Sequence, residues 1–506
     1  MAYLRRKMDD RLLEWKRGDG HLPLIVKGAR QVGKTETIRR FGQSNYENVV
    51  EINFATQPQF RAIVADGYTA RDVLRNISRI DPSLRLSSGR TLLFFDEIQE
   101  FPDIATALKP FAEDGRFDVI CSGSLLGVHY KRISHIAVGR QTELDMHSMD
   151  FEEFLWACGY GQDLVDEALA RIVEARPLRE VDFSVLSARF LDYCILGGMP
   201  AVVRQYAERG SFEQTLDIQR QIVAGYRADV RKYVEGLDQA RILKVFESIP
   251  AQLAKENKKF QLSKVAKGAR FKDYGGCVEW ICDAGIARKC HCLSFPELPL
   301  RGNFDPDRFK LYMADSGLLV SMLDDETQLD IRANRNLGGW KGGLYENIVA
   351  EALAKSGYEL YYWKREDSTL EEDFFVRAGD DLVPVEVKAS RGRSQSLREL
   401  ITRDRYPDIR WGIKFISGNI GFENRILTLP HCVAFLLRRA LSDLRVNPTS
   451  AKEPLPAHAN PWEGANRPTA CGQREGRFRA GGGEDGDGGE GLAAQNAKGR
   501  KERENH

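Results

Sequence analysis

Apolar residues in the first third of the chain gather in short runs. Leu24 to Val26, Leu92 to Phe95 and Val119 to Cys121 each stand between polar or glycine-bearing stretches, and Val49 to Phe54 and Thr142 to Met146 read as two further strands. A strand covered on both faces reads as such a run, whereas a half-exposed strand alternates. The segments between them change period. Leu4, Met8, Leu12 and Trp15 recur at helical spacing, which predicts an opening amphipathic helix lying on the sheet. Residues 37–41 and 62–79 also read as helix. Strand alternating with helix is the pattern of a parallel α/β sheet.

Beyond residue 150 the period stays helical to about Glu235, with Phe154, Leu155, Leu169 and Ile172 among the apolar positions and a break at Gly197-Gly-Met-Pro200. Residues 241–256, a short helix capped by Ser263 and running through Lys267, and residues 273–283 then predict three helices. The last carries Tyr274, Val278 and Ile281 inward and stops at Gly285. A strand over 286–293 follows, and that order suggests a winged helix. Residues 344–356 predict a further helix closed by Gly357, then a strand over 359–364. Asp373 to Arg377 and Leu382 to Lys388 form a hairpin around Ala378-Gly-Asp-Asp381. The expected organisation is an α/β sheet domain over 1–150, a helical linker or lid over 151–236, a winged-helix-like domain over 237–330 and a second α/β domain over 331–440. Residues 441–506, proline-rich from Pro448 to Pro461 and Gly/Glu/Asp-rich from Gly481 to Gly491, cannot bury a core and are expected to be disordered.

Composition narrows the setting. A chain of 506 residues with net charge +1 exerts no global pull on polyanions, so nucleic-acid binding needs a local basic patch. Nine scattered cysteines, an odd number, suit a reducing cytoplasm better than a disulfide framework. No stretch approaches the ~20 apolar residues of a spanning helix, and the first ten residues do not form a signal peptide, so no membrane partner is expected. Cys277, Cys282, Cys290, His291 and Cys292 lack zinc-ligand spacing and read as core.

The densest chemistry lies in Leu22-Pro-Leu-Ile-Val-Lys-Gly-Ala-Arg-Gln-Val-Gly-Lys-Thr35. Strand, G-x-x-x-x-G-K-[ST], helix is the Walker A phosphate loop. Backbone N–H groups from Gly28, Ala29, Arg30, Gln31, Val32 and Gly33 cradle a polyphosphate, helped by the N-terminus of the following helix. Lys34 meets the β- and γ-phosphates, and the Thr35 hydroxyl is a Mg²⁺ ligand. The run Thr91 to Phe95 ends in Asp96-Glu97, the Walker B pattern: Asp96 holds Mg²⁺ through water, and Glu97 orients and deprotonates the attacking water. At the end of the next strand, Ser122 or Ser124 is placed to contact the γ-phosphate. Arg140 is a candidate phosphate arginine, acting in cis or on a neighbouring copy.

On the strings GARQVGKT, FFDEIQ, SGSLLG and GRQTELDMHSMDFEEF the chain resembles bacterial and archaeal AAA-type ATPases that carry an uncharacterised C-terminal domain. Similarity continues through Leu196-Gly-Gly-Met-Pro200, residues 277–285 and 310–319, Tyr345-Glu346-Asn347 and Glu386-Val-Lys388, to about residue 440. The resemblance implies ATP binding and hydrolysis with Mg²⁺, and leaves the physiological role open.

The hairpin carries a second constellation. If Arg377 opposes Leu382, Asp373 opposes Glu386 with Cβ atoms ~4.5–5.5 Å apart, and Lys388 points the same way. Phe374, Val376, Val383, Val385 and Val387 fall on the other, apolar face, while Phe375 and Pro384 interrupt the polar one. Two carboxylates and a lysine can hold Mg²⁺ and activate water against a phosphodiester, with Glu346 completing the metal shell. This resembles the PD-(D/E)xK nuclease core in the order helix, strand, strand, strand. The alternative is a salt-bridge cluster on an inactive nuclease-like fold used for contact. Lys264, Lys267, Arg270 and Lys272 near the third helix of the winged-helix segment could meet DNA phosphates. The function expected is a Mg²⁺-dependent ATPase coupled to DNA binding or cleavage. The rival is an ATPase switch that contacts DNA, a protein partner or a second copy of itself.

Overall fold

Arg6 opens the first helix, α1 (Lys7–Arg17), by a reciprocal bond with Asp9: the Arg6 N–H donates to the Asp9 carboxylate at 2.9 Å. Met8, Leu12 and Trp15 lie on its buried face, as their spacing requires, and pack on the sheet beneath. The computed structural model describes residues 3–444 except 125–140, 235, 256–258, 334, 336–338, 367–369, 390, 391 and 393.

The sheet beneath α1 holds β1 (Leu24–Gly28), β2 (Asn48–Asn53), β3 (Thr91–Asp96), β4 (Asp118–Ser124) and β5 (Thr142–Asp145) in the order β2-β3-β4-β1-β5, every pair parallel. Its inner strands β1, β3 and β4 are buried along almost their whole length because each face has its own core, whereas the edge strands β2 and β5 alternate. Leu24, Val26, Leu92, Phe94 and Ile120 point to the side of α1 and α2 (Lys34–Asn45). Ile25, Leu93, Phe95, Val119 and Cys121 point to α3 (Ala70–Ile80) and α4 (Ile104–Asp114). The helix expected over 62–79 is two pieces, a 3-10 turn (Pro58–Val64) and α3. Gly67 at φ +129° breaks the run, and the Thr69 hydroxyl caps α3 by accepting from the Asp72 N–H at 3.1 Å.

Helices α5 (Phe151–Ala157), α6 (Gln162–Val173), α7 (Glu180–Leu196), α8 (Pro200–Arg209) and α9 (Thr215–Tyr233) follow. Gly197 and Gly198 separate α7 from α8 where side chains have no room: a Cβ on Gly198 would stand 1.8 Å from the Met149 carbonyl oxygen. Next come α10 (Leu237–Leu253), the one-turn α11 (Leu262–Val265) and α12 (Phe271–Asp283), then β6 (Ala287–Leu293) and β7 (Phe304–Met313) as an antiparallel pair. Residue 261, two positions ahead of the expected Ser263, is the N-cap of α11. Cys277, Cys290 and Cys292 lie in the core.

Short helices α13 (Ser316–Ser321) and α14 (Thr327–Arg332) lead to α15 (Gly339–Lys355). Gly357, at φ +86°, ends α15 as expected. Then come β8 (Leu360–Lys364), β9 (Glu371–Glu372), β10 (Phe374–Ala378), β11 (Asp381–Val387), α16 (Gln395–Thr402), β12 (Gly412–Ile416), β13 (Gly421–Glu423), β14 (Ile426–Pro430) and α17 (Leu437–Ser442). Two expectations are corrected here. β8 does not join the hairpin's sheet: it pairs in parallel with β6 and antiparallel with β9, giving the order β7-β6-β8-β9. The hairpin instead starts a sheet of order β10-β11-β12-β14-β13. Its second face is not polar either. Phe375 and Leu382 are buried in a separate core with Leu397, Leu400 and Tyr406, because α16 covers that side.

Candidate functional site

β1 delivers the phosphate loop at its carboxyl end, the edge where open α/β sheets bind ligands. Only glycine fits position 28, since a Cβ there would meet the Met146 carbonyl oxygen at 2.1 Å. Gln31 at φ +67° and Gly33 at φ +98° turn the loop into α2, whose first residue is Lys34. The Lys34 ammonium, nearly buried, donates to the carbonyls of Gly28 at 2.9 Å and Ala29 at 2.8 Å. Burial pushes it down to about 8, against the opposing pull of Glu97 and Asp96.

Strand register gathers hydroxyl and amide groups around Asp96. Asn53 is paired with Asp96 across β2 and β3, and Cys121 with Phe95 across β3 and β4, which brings Ser122 alongside. The Asp96 carboxylate accepts from the Thr35 hydroxyl at 3.0 Å, the Asn53 amide at 3.0 Å, the Glu97 N–H at 3.0 Å and the Ser122 hydroxyl. Ser122 is thus turned to Asp96 and fully buried, while Ser124 lines the cavity. Glu97 sits at φ +55°, a left-handed conformation that a non-glycine residue adopts only when its surroundings hold it. Gln99 does the holding: its amide donates to the Glu97 carboxylate and its oxygen accepts from the Ser124 N–H at 3.2 Å. Arg140 lies outside the described residues.

A cavity of about 450 Å³ opens over this edge, lined by Lys34, Thr35, Glu97, Arg30, Ser124 and Arg204 among others. Sequence reasoning missed Arg204, on α8. Among the described residues its buried Nε has no hydrogen-bond partner, an orphaned donor in a site otherwise shaped for an anion. The signal was the Gly197-Gly198-Met-Pro200 break, which starts α8 beside the phosphate loop: the Pro200 ring is 3.5 Å from where a Gly33 Cβ would stand. Arg6 was also missed. Buried, it donates to the Val32 carbonyl at 2.7 Å and the His147 carbonyl at 2.7 Å, and pairs with Glu153 at 3.1 Å, bracing the loop from behind.

Helix α9 touches both halves of the edge. The Tyr226 hydroxyl donates to the Arg30 carbonyl at 3.1 Å, and the Arg30 guanidinium pairs with buried Asp229. Burial pushes the Asp229 carboxyl up and Arg30 opposes it. One turn on, Lys232 and the Tyr233 hydroxyl both bond Glu100, each at 2.6 Å, just past Glu97.

At the hairpin, Phe374 pairs with Val385 and Arg377 with Leu382, the register expected; Ala378 also pairs with Asp381, so the loop is two residues shorter. Asp373 and Glu386 meet at its open end. The Asp373 carboxylate accepts the Val387 N–H at 2.9 Å, and Lys388 pairs with Glu386 at 2.9 Å. Glu346, on α15, meets this centre through Lys310: it pairs with that ammonium at 3.0 Å and accepts from the Tyr312 hydroxyl. Lys310, 1 % exposed on β7, also lies 3.0 Å from Glu371 and 3.8 Å from Asp373. Burial alone would lower its ammonium, but these three carboxylates raise it well above its ordinary value. Glu372 is fully buried, and among the described residues neither of its oxygens has a hydrogen-bond partner; burial, then Glu386 and Asp373, push its carboxyl well up. Among the described residues no three His, Cys, Asp or Glu side chains stand in metal-holding geometry. Lys264, Lys267, Arg270 and Lys272 are exposed around the start of α12, with Phe271 43 % exposed among them.

Residues 21–155 match the family model of an AAA domain, 187–329 a domain of unknown function (DUF8612) and 341–429 another (DUF4143). No curated protein matches. Among solved structures, a Walker-type ATPase of Pyrococcus abyssi is 14 % identical, with 63 % of this chain and 96 % of that one covered at a TM-score of 0.40. The Aeropyrum pernix ORC1 protein in complex with DNA is 12 % identical, with 66 % and 93 % covered at 0.26. The Thermotoga maritima RuvB Holliday junction branch migration motor is 15 % identical, with 56 % and 90 % covered at 0.27. By the family match, residues 21–155 form a P-loop ATPase-like domain of the AAA type. No described helix is long and apolar enough to cross a membrane.

Proposed function

We propose that this chain, whose residues 21–155 match an AAA domain, hydrolyses Mg²⁺-ATP and uses the cycle to control DNA binding through α10 to α12. The observation that carries the hydrolytic half is the buried Asp96 carboxylate, held by Thr35, Asn53 and Ser122 directly behind a cavity lined by Thr35, Lys34, Glu97 and Arg204. The donors are hard oxygens, which fit Mg²⁺ at Thr35 and Asp96. Once bound, the ion would neutralise charge across the β- and γ-phosphates. Lys34 exchanges the carbonyls of Gly28 and Ala29 for phosphate oxygens. Arg204 offers its unpartnered donor to the same anion, and Glu97, fixed by Gln99, accepts the proton of the attacking water. Arg30 lines the cavity and is bound to Asp229 on α9. A nucleotide that competes for Arg30 therefore acts on the helix leading into α10.

DNA as the partner is supported by exposed Lys264, Lys267, Arg270 and Lys272 at the front of α12, on a helix–helix–helix–strand order of winged-helix kind. For cleavage the support is weaker. The acidic centre does not fit a divalent ion, because Lys310 already stands among Glu346, Glu371 and Asp373. That favours the reading in which the C-terminal fold serves contact.

One titration tests both halves. Wild type should bind ATP, hydrolyse it, and retain duplex DNA with a steep salt dependence. Lys34→Ala should lose binding and hydrolysis. Neutralising Lys264, Lys267 and Arg270 together should flatten the salt slope by about 2.7, near 0.9 for each lost phosphate contact. Hydrolysis that survives Lys34→Ala refutes the ATPase site, and an unchanged salt slope refutes the DNA surface.

A further inference from the structure

We propose that Lys310 is the resident cation of the acidic centre, an ammonium built into the seat a divalent ion would otherwise take. The inference goes beyond the ATPase and DNA readings and depends on neither.

Lys310 stands in the run Phe309-Lys310-Leu311-Tyr312, whose other members are buried apolar or aromatic side chains. An ammonium in such a place is costly unless paired and hydrogen-bonded. Here it is paired on three sides, with Glu346 at 3.0 Å, Glu371 at 3.0 Å and Asp373 at 3.8 Å, and it faces the Tyr362 ring at 4.7 Å. The three acids come from separate places in the chain: α15, β9 and the residue before β10. Carboxylates converging from separate elements need a positive charge between them, and the chain supplies one from β7. Two further carboxylates crowd the same centre: Lys388 pairs with Glu386, and the buried Glu372, with no hydrogen-bond partner on either oxygen among the described residues, has its carboxyl pushed up by burial and then by Glu386 and Asp373.

Seat and occupant can be separated. Divalent ions sit about 2.0–2.6 Å from carboxylate oxygens, closer than the 3.0 Å between Lys310 and Glu346, so the acids need only draw in once the lysine is shortened. Lys310→Ala removes the charge and opens the space. Mn²⁺ binding to the full-length protein, measured by electron paramagnetic resonance without nucleotide, is the readout. Wild type and Asp373→Asn should bind the same number of Mn²⁺ ions. Lys310→Ala should bind one more equivalent, lost again in Lys310→Ala/Asp373→Asn. Two results overturn the proposal: a wild-type Mn²⁺ equivalent that disappears in Asp373→Asn, or a folded Lys310→Ala that gains none. Should Lys310→Ala not fold, the wild-type and Asp373→Asn pair still decides, since an Asp373-dependent Mn²⁺ in the native protein is incompatible with Lys310 as the occupant.

Discussion

Binding of ATP should take up a proton at alkaline pH, and Lys34 is the reason. In the nucleotide-free protein, burial lowers this ammonium from 10.5 to about 8. At pH 9, one unit above that value, about nine in ten of these side chains are neutral. Phosphates restore the charge, so binding should consume about 0.9 proton at pH 9 and less than about 0.1 at pH 7. Affinity should then fall about tenfold, ~1.4 kcal/mol, for each pH unit above 8. Stability of the nucleotide-free protein runs the opposite way. Between about 8 and 10.5 the unfolded chain holds the proton that the folded one has released, so stability rises with pH across that window and is lowest below it. Calorimetric titration of ATP at both pH values, each in two buffers of different ionisation enthalpy, gives the proton count directly. Lys34→Arg is the control, because a guanidinium does not titrate in this range. Uptake below about 0.3 proton at pH 9, or equal uptake in Lys34→Arg, refutes the reasoning.

Glu97→Gln should keep nucleotide affinity and lower single-turnover hydrolysis by about 10²–10⁴, the usual loss for a removed general base; an unchanged rate assigns that role elsewhere. Arg204→Gln should weaken ATP binding by about 10–100-fold, the loss of one hydrogen bond to a charged group of ~1.5–3 kcal/mol, with the melting temperature of the nucleotide-free protein unmoved. Asp229→Asn frees Arg30 from α9 and should raise ATP affinity severalfold while removing the effect of ATP on DNA retention, read by filter binding with and without nucleotide. Trp15→Ala should cost about 3–5 kcal/mol of stability in denaturant titration, since that ring is buried against Phe41 of α2.

The phosphate loop was legible because its chemistry is local. Gly28, Gly33, Lys34 and Thr35 are neighbours in sequence, and the runs at Leu24 and Leu92 fix the two strands that bring them to Asp96. The hairpin register was legible for the same reason, since a short loop leaves few pairings. What could not be read was contact between distant segments. Arg204 reaches the cavity only because α7 and α8 fold back over it, and Lys310 arrives at the hairpin from a strand more than sixty residues earlier. Inside an apolar run, that lysine carries no sign of its three partners. The sheet of β8 was misplaced on similar grounds: its partner β6 belongs to the segment read as a separate winged helix. Alternation showed one covered face of the hairpin and said nothing about α16 on the other.

The apolar layer on the α1 side of the first sheet runs on without interruption through Phe151, Phe190 and Trp280 to Leu437 and Ala440, and Arg439 clasps Glu152 at 2.7 Å across it. A gene fragment stopped near residue 150 would lose most of that layer and bare the remainder to water. Such a fragment should clump rather than dissolve, and the protein is best purified with everything through α17 still attached.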